Sequence, residues 1–462
     1  MKRKLICLSA CLLPLLAAAQ GTQGTQGTQV TALSLKECLD YSMQHNTALQ
    51  KDRLGIEEAI QSRREIVGSL LPQLNASAGY TYNIQKTTIA MPNFVNSMMP
   101  EPMQDPNAPK YMTVTMGMDL SANLGVSLTQ QILNFSLYNA VGIAKAGEEM
   151  ARLGADADTD DLLTKTATLY YNAQVLQYAI GLFDENLAVM DRMGRIMEVS
   201  RDNGIVRKVD ADRISVTRTN LETERLSMER ALEVQKNLLK LQMGFPMEEE
   251  ISLEALDLGR MESMIISDRL REFSVEDQLP FKMLKQQQNM LGLQKKSAIG
   301  ETLPMVSLSA NYSQNYMGDH FYGETFHHFP VSMVSLNLRV PLFTGMSKNA
   351  KIKKAGIQIE KSLKDEQMLV QSLTMAHSNA RMQFEQNRST IESQKRNKDL
   401  AQEVLRVTES NYNEGISTLS DLLNASSSLI QAQMNYINAL NSSVKAYLDL
   451  KKADGSIKEI IK

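Results

Sequence analysis

From Val114 to Thr129 the chain alternates without a break: every even-numbered residue is apolar or Ala, and every odd-numbered one is polar or Gly. A period of two marks an extended strand with one apolar face. The pattern recurs elsewhere. Leu74, Ala76, Ala78, Tyr80, Tyr82 and Ile84 form one such face, and Val306, Leu308, Ala310, Tyr312 and Tyr316 another, interrupted by Gln314. Val334, Leu336, Leu338, Val340 and Leu342 form the last. The predicted strands are 73–85, 113–132, 305–316 and 331–343, and no charge falls on their apolar faces; Asp119 and Arg339 sit on the other side.

Two architectures fit. A soluble sheet with one buried face alternates in this way, and so does a transmembrane barrel whose apolar face meets lipid while its polar face lines a wet lumen. The strands exceed the usual length of about five or six residues and supply the roughly 9–11 that a tilted membrane strand needs. Tyrosines gather toward the loop ends, where an interfacial belt belongs. The barrel reading makes Tyr80, Tyr82, Leu124, Val126, Leu128, Tyr312, Leu336 and Leu338 lipid-facing. Four strands cannot enclose a lumen, which takes at least about eight, and lipid tolerates no open sheet edge. Closure therefore requires several copies of the chain.

Away from the strands the period changes. Leu162, Leu169, Leu176, Phe183, Met190 and Met197 recur every seven residues, with Ala173, Ile180 and Leu187 between them and Thr166 and Gly194 as weaker positions. Leu423, Ile430, Ile437 and Val444 repeat the spacing near the end. Such seams belong to coiled coils. No proline interrupts Lys110 to Phe245 or Leu342 to Lys462, so both blocks are open to long helices. The expected helices are 136–203, 207–243, 346–413 and 418–452, the first about 100 Å long at 1.5 Å per residue.

The two blocks are copies of one unit. "LPQLNASAGYTYN" at 71–83 matches "LPMVSLSANYSQN" at 303–315 at an offset of 232, while Ile143-x-Lys145-Ala146-Gly147 matches Ile352-x-Lys354-Ala355-Gly356 at 209. Gly204-Ile205 with Asp210 matches Gly415-Ile416 with Asp421 at 211. The shorter offsets place an insertion in the first half, in the proline-rich run 86–111, which reads as a loop. The organisation is then a first repeat at 33–245, a connection at 246–274, a second repeat at 275–455 and a tail at 456–462.

Before the first repeat, "MKRKLICLSACLLPLLAAAQ" has a basic start, an apolar run and an Ala17-Ala18-Ala19 cleavage pattern. Residues 1–19 read as a secretory signal peptide, although Leu8-Ser9-Ala10-Cys11 also fits lipoprotein processing. A polar tether, 20–32, follows and contains "GTQGTQGTQ". Cleavage near Ala19 leaves Cys38 as the only cysteine, a small apolar residue on a helix face and no disulfide partner. Net charge is −3 and mean hydropathy −0.26, with acids and bases interspersed. That total offers no electrostatic case for nucleic acid or for anionic membrane surfaces.

Signal peptide, two repeats, two hairpins per chain and coiled-coil helices together resemble the TolC-like outer membrane factor family. The likeness extends from "LSLKECLDYSMQHN" (33–46) to "AYLDLKKADG" (446–455). Its most specific stretch is "NYNEGISTLSDLLNASSSLIQAQMNY" (411–436), with "SRDNGIVRKVDADRI" (200–214) as its first-half counterpart. The resemblance implies a mainly α protein with β: a homotrimer whose 12-stranded barrel, set among outer membrane lipids, joins a long periplasmic coiled-coil barrel. It implies the outer membrane duct of a tripartite efflux or type I secretion system, docking a periplasmic adaptor and an inner-membrane pump of RND, ABC or MFS type. Position by position, Tyr412 and Asp421 match the family's gating tyrosine and aspartate, and Asp210 matches the partner aspartate of the first repeat. Ser417 stands where the family pattern has a basic residue, and Asn424 where a second aspartate follows; Arg207 and Lys208 are the cations available instead. Gly204 and Gly415 mark the tip turns. The same residues have a purely structural reading, since Thr418-x-x-Asp421 is a capping box and the glycines are helix stops.

No nucleophile elbow, zinc-protease, P-loop or paired-cysteine motif is present, so neither an enzyme nor a resident cofactor is expected. His320, His327 and His328, with Asp319 and Glu324, can serve a transition metal, but an exposed polar loop accounts for them equally, and no metal site is assigned. Met98, Met99 and Met103 fall in the first loop. The competing class is a trimeric coiled-coil surface adhesin or stalk with a composite barrel anchor. It would place one anchor segment at one end of the chain, whereas here the strand pairs lie in separate halves.

Overall fold

The computed structural model describes residues 32–203, 206–267, 272–320 and 327–461. The signal peptide, Gly204 and Glu324 lie outside the described residues.

The chain enters through a two-residue strand, β1 (Ala32–Leu33), and helix α1 (Leu35–His45), where Ser34 and Glu37 form a reciprocal capping box. Helix α2 (Thr47–Gly68), capped by Asn46, leads into strand β2 (Gln73–Tyr82). A separate small hairpin, β3 (Thr87–Pro92) with β4 (Tyr111–Met116), encloses helix α3 (Phe94–Met98) and a 3-10 turn at Glu101–Met103. Strand β5 (Leu120–Leu133) continues into the 68-residue helix α4 (Phe135–Asp202), which turns back as α5 (Lys208–Met243). Strand β6 (Ser252–Leu253), paired in parallel with β1, and helix α6 (Leu258–Ser267) make the connection. The second repeat follows as α7 (Leu279–Gly300), β7 (Met305–Gly318), β8 (His327–Arg339), the 67-residue α8 (Ser347–Asn413) and α9 (Leu419–Ala453). Each half is thus helix, strand, strand, long helix, returning helix.

Several expectations need correction. The alternation at 114–130 is two strands: Gly117 (φ +99°) breaks the ladder, β4 pairs with β3, and β5 begins at Leu120. Glycine at an odd position passes for a polar residue, so the pattern runs on through the turn. The proline-rich run 86–111 is not all loop, because its prolines occupy tolerated places: Pro92 ends β3 and Pro102 opens the 3-10 turn. Strand β2 stops at Tyr82, and β8 is shifted toward the loop, ending at Arg339 because Pro341 has no N–H for a ladder. The tail is not loose: a 3-10 turn, Ile457–Ile461, puts a fully buried Ile457 into the core.

The seams are wider than the predicted ladders. In α9 Ile437 and Val444 of the predicted ladder are buried while Leu423 and Ile430 are half-buried, and a row one residue earlier, Leu422, Leu429, Tyr436, Ser443 and Leu450, is buried as well. Between them lie buried Ser426, Gln433, Leu440 and Tyr447. The polar members hid the true stripe. Ser443 Oγ donates to the Asn387 carbonyl at 3.2 Å, and Asn186 Nδ2 donates to Gln433 Oε1 at 2.7 Å. In distal α4 the buried set is Phe183, Asn186, Met190, Met193 and Met197, with Leu187 and Gly194 at its margin. These meet Ile214 and Leu221 of α5, Leu405 of α8, and Leu422, Ala425 and Leu429 of α9 in one core.

Midway along α4 a second core gathers α1, α6 and the C-terminal turn. Beside it a third core joins α1 and α4 to the end of α5 and to β6, where Tyr170 donates to the Leu33 carbonyl at 3.1 Å and Gln174 to the Glu254 carbonyl at 2.8 Å, tying the β1–β6 pair to the long helix. Cys38 is completely buried there, which pushes its thiol up to about 12. Among the described residues no helix is long and apolar enough to cross a membrane.

Candidate functional site

The four long strands form one antiparallel sheet in the order β2-β5-β7-β8. Register fixes its faces, because residues paired directly across a ladder point the same way. Leu74, Ala76, Ala78, Tyr80 and Tyr82 pair with Leu128, Val126, Leu124, Ala122 and Leu120. Val126 and Leu128 continue to Tyr312 and Ala310, and Leu308 and Val306 to Leu336 and Leu338. All eight predicted lipid-facing residues therefore share one face. Leu336 and Leu338 are 70% and 65% exposed, which is unusual for a continuous apolar surface in water. Gln314 lies on that same face, where it donates to the Tyr312 hydroxyl at 2.7 Å.

The opposite face is a polar ladder. Asn123 Nδ2 donates to Asn315 Oδ1 at 2.5 Å, Ser309 and Ser335 hydroxyls meet at 3.0 Å, and Asn337 Nδ2 donates to Ser309 Oγ at 2.8 Å. The loop end of β8 departs from this rule, with Phe329, Val331 and Met333 on the polar side.

Both edges of the sheet, β2 and β8, are unpaired among the described residues. The helices keep the same order. Below the sheet they run α2, α4, α7, α8; toward the tips, α5, α4, α9, α8. One edge is α8 throughout, and the other is α2 and then α5. Each carries apolar side chains that the chain does not cover: Leu400, Val404 and Val407 on α8, and Val209, Val216 and Val234 on α5. Along the α4–α5 pair, Arg218 reaches Asp191 and Arg225 reaches Asp184, each at 2.5 Å, holding the antiparallel register.

At the distal end the predicted gate residues fall into two adjacent turns. Asp210 is engaged within its own helix by Arg207 Nε at 3.1 Å, while Lys208 is exposed. Tyr412 is half-buried, its hydroxyl 3.7 Å from Met197 Sδ on α4. Burial raises its phenol pKa, and the nearby Asp210 charge adds to the effect. The fold therefore brings Tyr412 and Asp210 into one neighbourhood across the two repeats.

Asp421 is committed elsewhere. Its Oδ2 accepts from the Thr418 hydroxyl at 2.6 Å and the Thr418 N–H at 3.0 Å, and its own N–H donates to Thr418 Oγ1 at 3.2 Å. The hydroxyl bond, and then the backbone one, hold its carboxyl below the usual range. Gly415 (φ +77°) makes the turn, with the Ile416 and Ser417 N–H groups both donating to the Asn411 carbonyl. Asn424 is exposed. Met197, which Tyr412 touches, was legible only as a seam residue, and Thr418 only as a helix cap.

The outer membrane efflux protein family matches residues 294–456. By sequence, the outer membrane protein TolC of Escherichia coli is 22% identical over 448 residues, spanning 93% of this chain and 83% of TolC. By structure, the outer membrane protein VceC of Vibrio cholerae superposes with a TM-score of 0.69 at 17% identity, covering 91% of this chain and 96% of VceC. The MtrE outer membrane channel of Neisseria gonorrhoeae, in its open state, gives 0.69 at 17% identity over 91% of this chain and 88% of MtrE.

Proposed function

We propose, from the premise that this chain belongs to the TolC-like outer membrane factor family, that three copies join into a passive export duct through the outer membrane. The observation that carries this reading is the pair of unmatched edges, continuous from sheet to tip. In hydrocarbon an unpaired strand must find a partner, and β8 of one copy has β2 of the next. Two copies would give an eight-stranded barrel, in which side chains fill the interior. Three give twelve strands with their polar ladders around a lumen. In the periplasm α8 of one copy meets α2 and α5 of the next, covering the exposed valines and leucines.

The duct carries no energy source. A periplasmic adaptor and an inner-membrane pump supply it at the tips, as for other outer membrane efflux proteins. There Tyr412 and Asp210 form the latch between the two helix pairs, with Arg207 as its cation. Asp421 with its Thr418 cap, flanked by Ser417 and Asn424, lines the entrance of the second turn, and Lys208 that of the first.

Planar-bilayer recording tests both levels. The purified chain should insert as a trimer with discrete conductance steps, and Tyr412→Phe with Asp210→Asn should raise conductance several-fold, up to the roughly five- to thirtyfold shift in gate population that losing one or two hydrogen bonds of about 1 kcal/mol allows. A lone subunit whose hairpins stay in water overturns the duct. Unchanged conductance in the double variant overturns the latch.

A further inference from the structure

The total charge conceals a sorting of charges by the fold. Where the helices meet the sheet, the last eleven residues of α2 and α7 and the first eleven of α4 and α8 hold nine Lys or Arg against two Glu. Three of the nine are engaged: Arg63 with Glu148 at 2.8 Å, Lys351 with Glu301 at 2.5 Å, and Lys348 with the Glu301 carbonyl. The other six, Arg64, Lys145, Lys295, Lys296, Lys353 and Lys354, form no ion pair among the described residues, and all but the half-buried Lys295 are exposed. They come from four elements distant in sequence, and each lies within about 20 Å of a strand end at 1.5 Å per helical residue. Glu301 at the end of α7 and Glu148 and Glu149 one turn past Lys145 offset part of this field, which salt screens over about 8 Å, and with them counted nine cations still face five Glu at this level.

Position identifies the partner. Phe135 and Tyr138 open α4 and Phe343 follows β8, at 37%, 41% and 82% exposure, so aromatic side chains ring the helix end of the sheet as Tyr80 and Tyr82 do the loop end. Such girdles mark the two interfaces of a membrane barrel. The cations begin just beyond the helix-side girdle, at headgroup depth.

We propose that this collar binds anionic phospholipid headgroups of the leaflet facing the helices, fixing the height at which the barrel sits. The proposal rests on the barrel reading and corrects the inference, drawn from net charge, that no anionic membrane surface is recognised. Polybasic segments gain from anionic lipid in this way.

The test uses the full-length protein in mixed micelles of dodecylmaltoside with equal phosphatidylglycerol and phosphatidylcholine, with lipid retained through gel filtration counted by mass spectrometry. Wild type should retain phosphatidylglycerol over phosphatidylcholine by about tenfold, an excess that molar salt removes. Replacing all six free cations by Gln should bring the ratio to near one. Equal retention of the two lipids by wild type, or an unchanged preference in the variant, overturns the proposal. So does a variant that falls apart into single chains in neutral detergent while keeping its lipid preference, which would assign these cations to the joint between copies. The wild-type comparison stands even where the variant does not fold. Insertion into pure phosphatidylcholine bilayers separates the two levels: its failure refutes the barrel, whereas insertion without lipid preference refutes only the collar.

Discussion

The contact between Asn186 and Gln433 joins the two repeats inside the distal core, and removing it has a calculable pattern of cost. Both residues are under a tenth exposed, and Asn186 Nδ2 donates to Gln433 Oε1 at 2.7 Å while also reaching the Leu182 carbonyl at 2.9 Å. Asn186→Leu leaves Gln433 Oε1 without its donor in a dry seam, a penalty of about 2–3 kcal/mol. Gln433→Met is milder, about 1–2 kcal/mol, because the Asn186 amide keeps Leu182. The double variant replaces both partners by apolar groups of similar shape and should lose less than Asn186→Leu alone, giving a coupling of about −2 kcal/mol. The readout is guanidinium unfolding in detergent, followed by helical circular dichroism at one protein concentration because association contributes to stability. If the double variant loses the sum of the single losses, the pair is not coupled. The view that a polar contact sets the register of α4 on α9 then fails.

Three shorter predictions follow from other parts of the chain. Cysteine at Ser77 in β2, combined in turn with Met333, Ser335 or Asn337 in β8, places thiols on the polar face of both free edges. At the pairing register, oxidation should yield a covalent ladder that stops at three copies on a denaturing gel, and one stopping at two would refute the twelve-stranded wall. The second-repeat tip should be acid-sensitive: Asp421 has a lowered folded pKa, so its cap contributes fully above the ordinary carboxylate value of about 4 and is lost as pH falls through the lower folded one. Protection of the Leu419 to Leu422 amides against exchange, relative to their intrinsic rates, should therefore fall as the pH is lowered below about 4, and Thr418→Val should abolish that step. At the crossing of α7 and α4, a Cβ on Gly300 would sit 2.7 Å from the Ser136 nitrogen, so Gly300→Ala should cost at least about 2 kcal/mol and lower the thermal midpoint.

Much of this architecture is legible in one chain's sequence because its two periods are so different. The strands β2, β5, β7 and β8 announce themselves by alternation, and proline-free blocks mark α4 and α8. Boundaries fail where one residue type serves two readings. Gly117 counts as polar in an alternating run yet makes a turn at φ +99°. Gln433 and Ser443 count as surface in a heptad scan yet lie in the seam, since their hydrogen-bonding partners are supplied by other helices far away in sequence. The tip shows the same ambiguity in reverse. Asp421 fits both the gate and the helix cap by pattern, and the structure shows its carboxylate occupied by Thr418. The proximity of Tyr412 to Asp210 depends on how two repeats dock, which no local pattern encodes.

What the sequence hides most fully is charge, because electrostatic recognition depends on where residues gather and not on their sum. Arg64, Lys296 and Lys353 stand in short basic doublets and Lys145 stands alone, four places along the chain far apart in sequence. The repeat brings them to one level, because each half places a helix at the same height against its strand. A chain with net charge −3 can therefore present a cationic ring at the one height where an anionic surface would meet it. The same tandem geometry leaves β2 at one edge of the sheet and β8 at the other without a partner strand among the described residues. A wall incomplete in one chain and a collar dispersed in one sequence have a single cause, the duplication of one helix–strand–strand–helix unit.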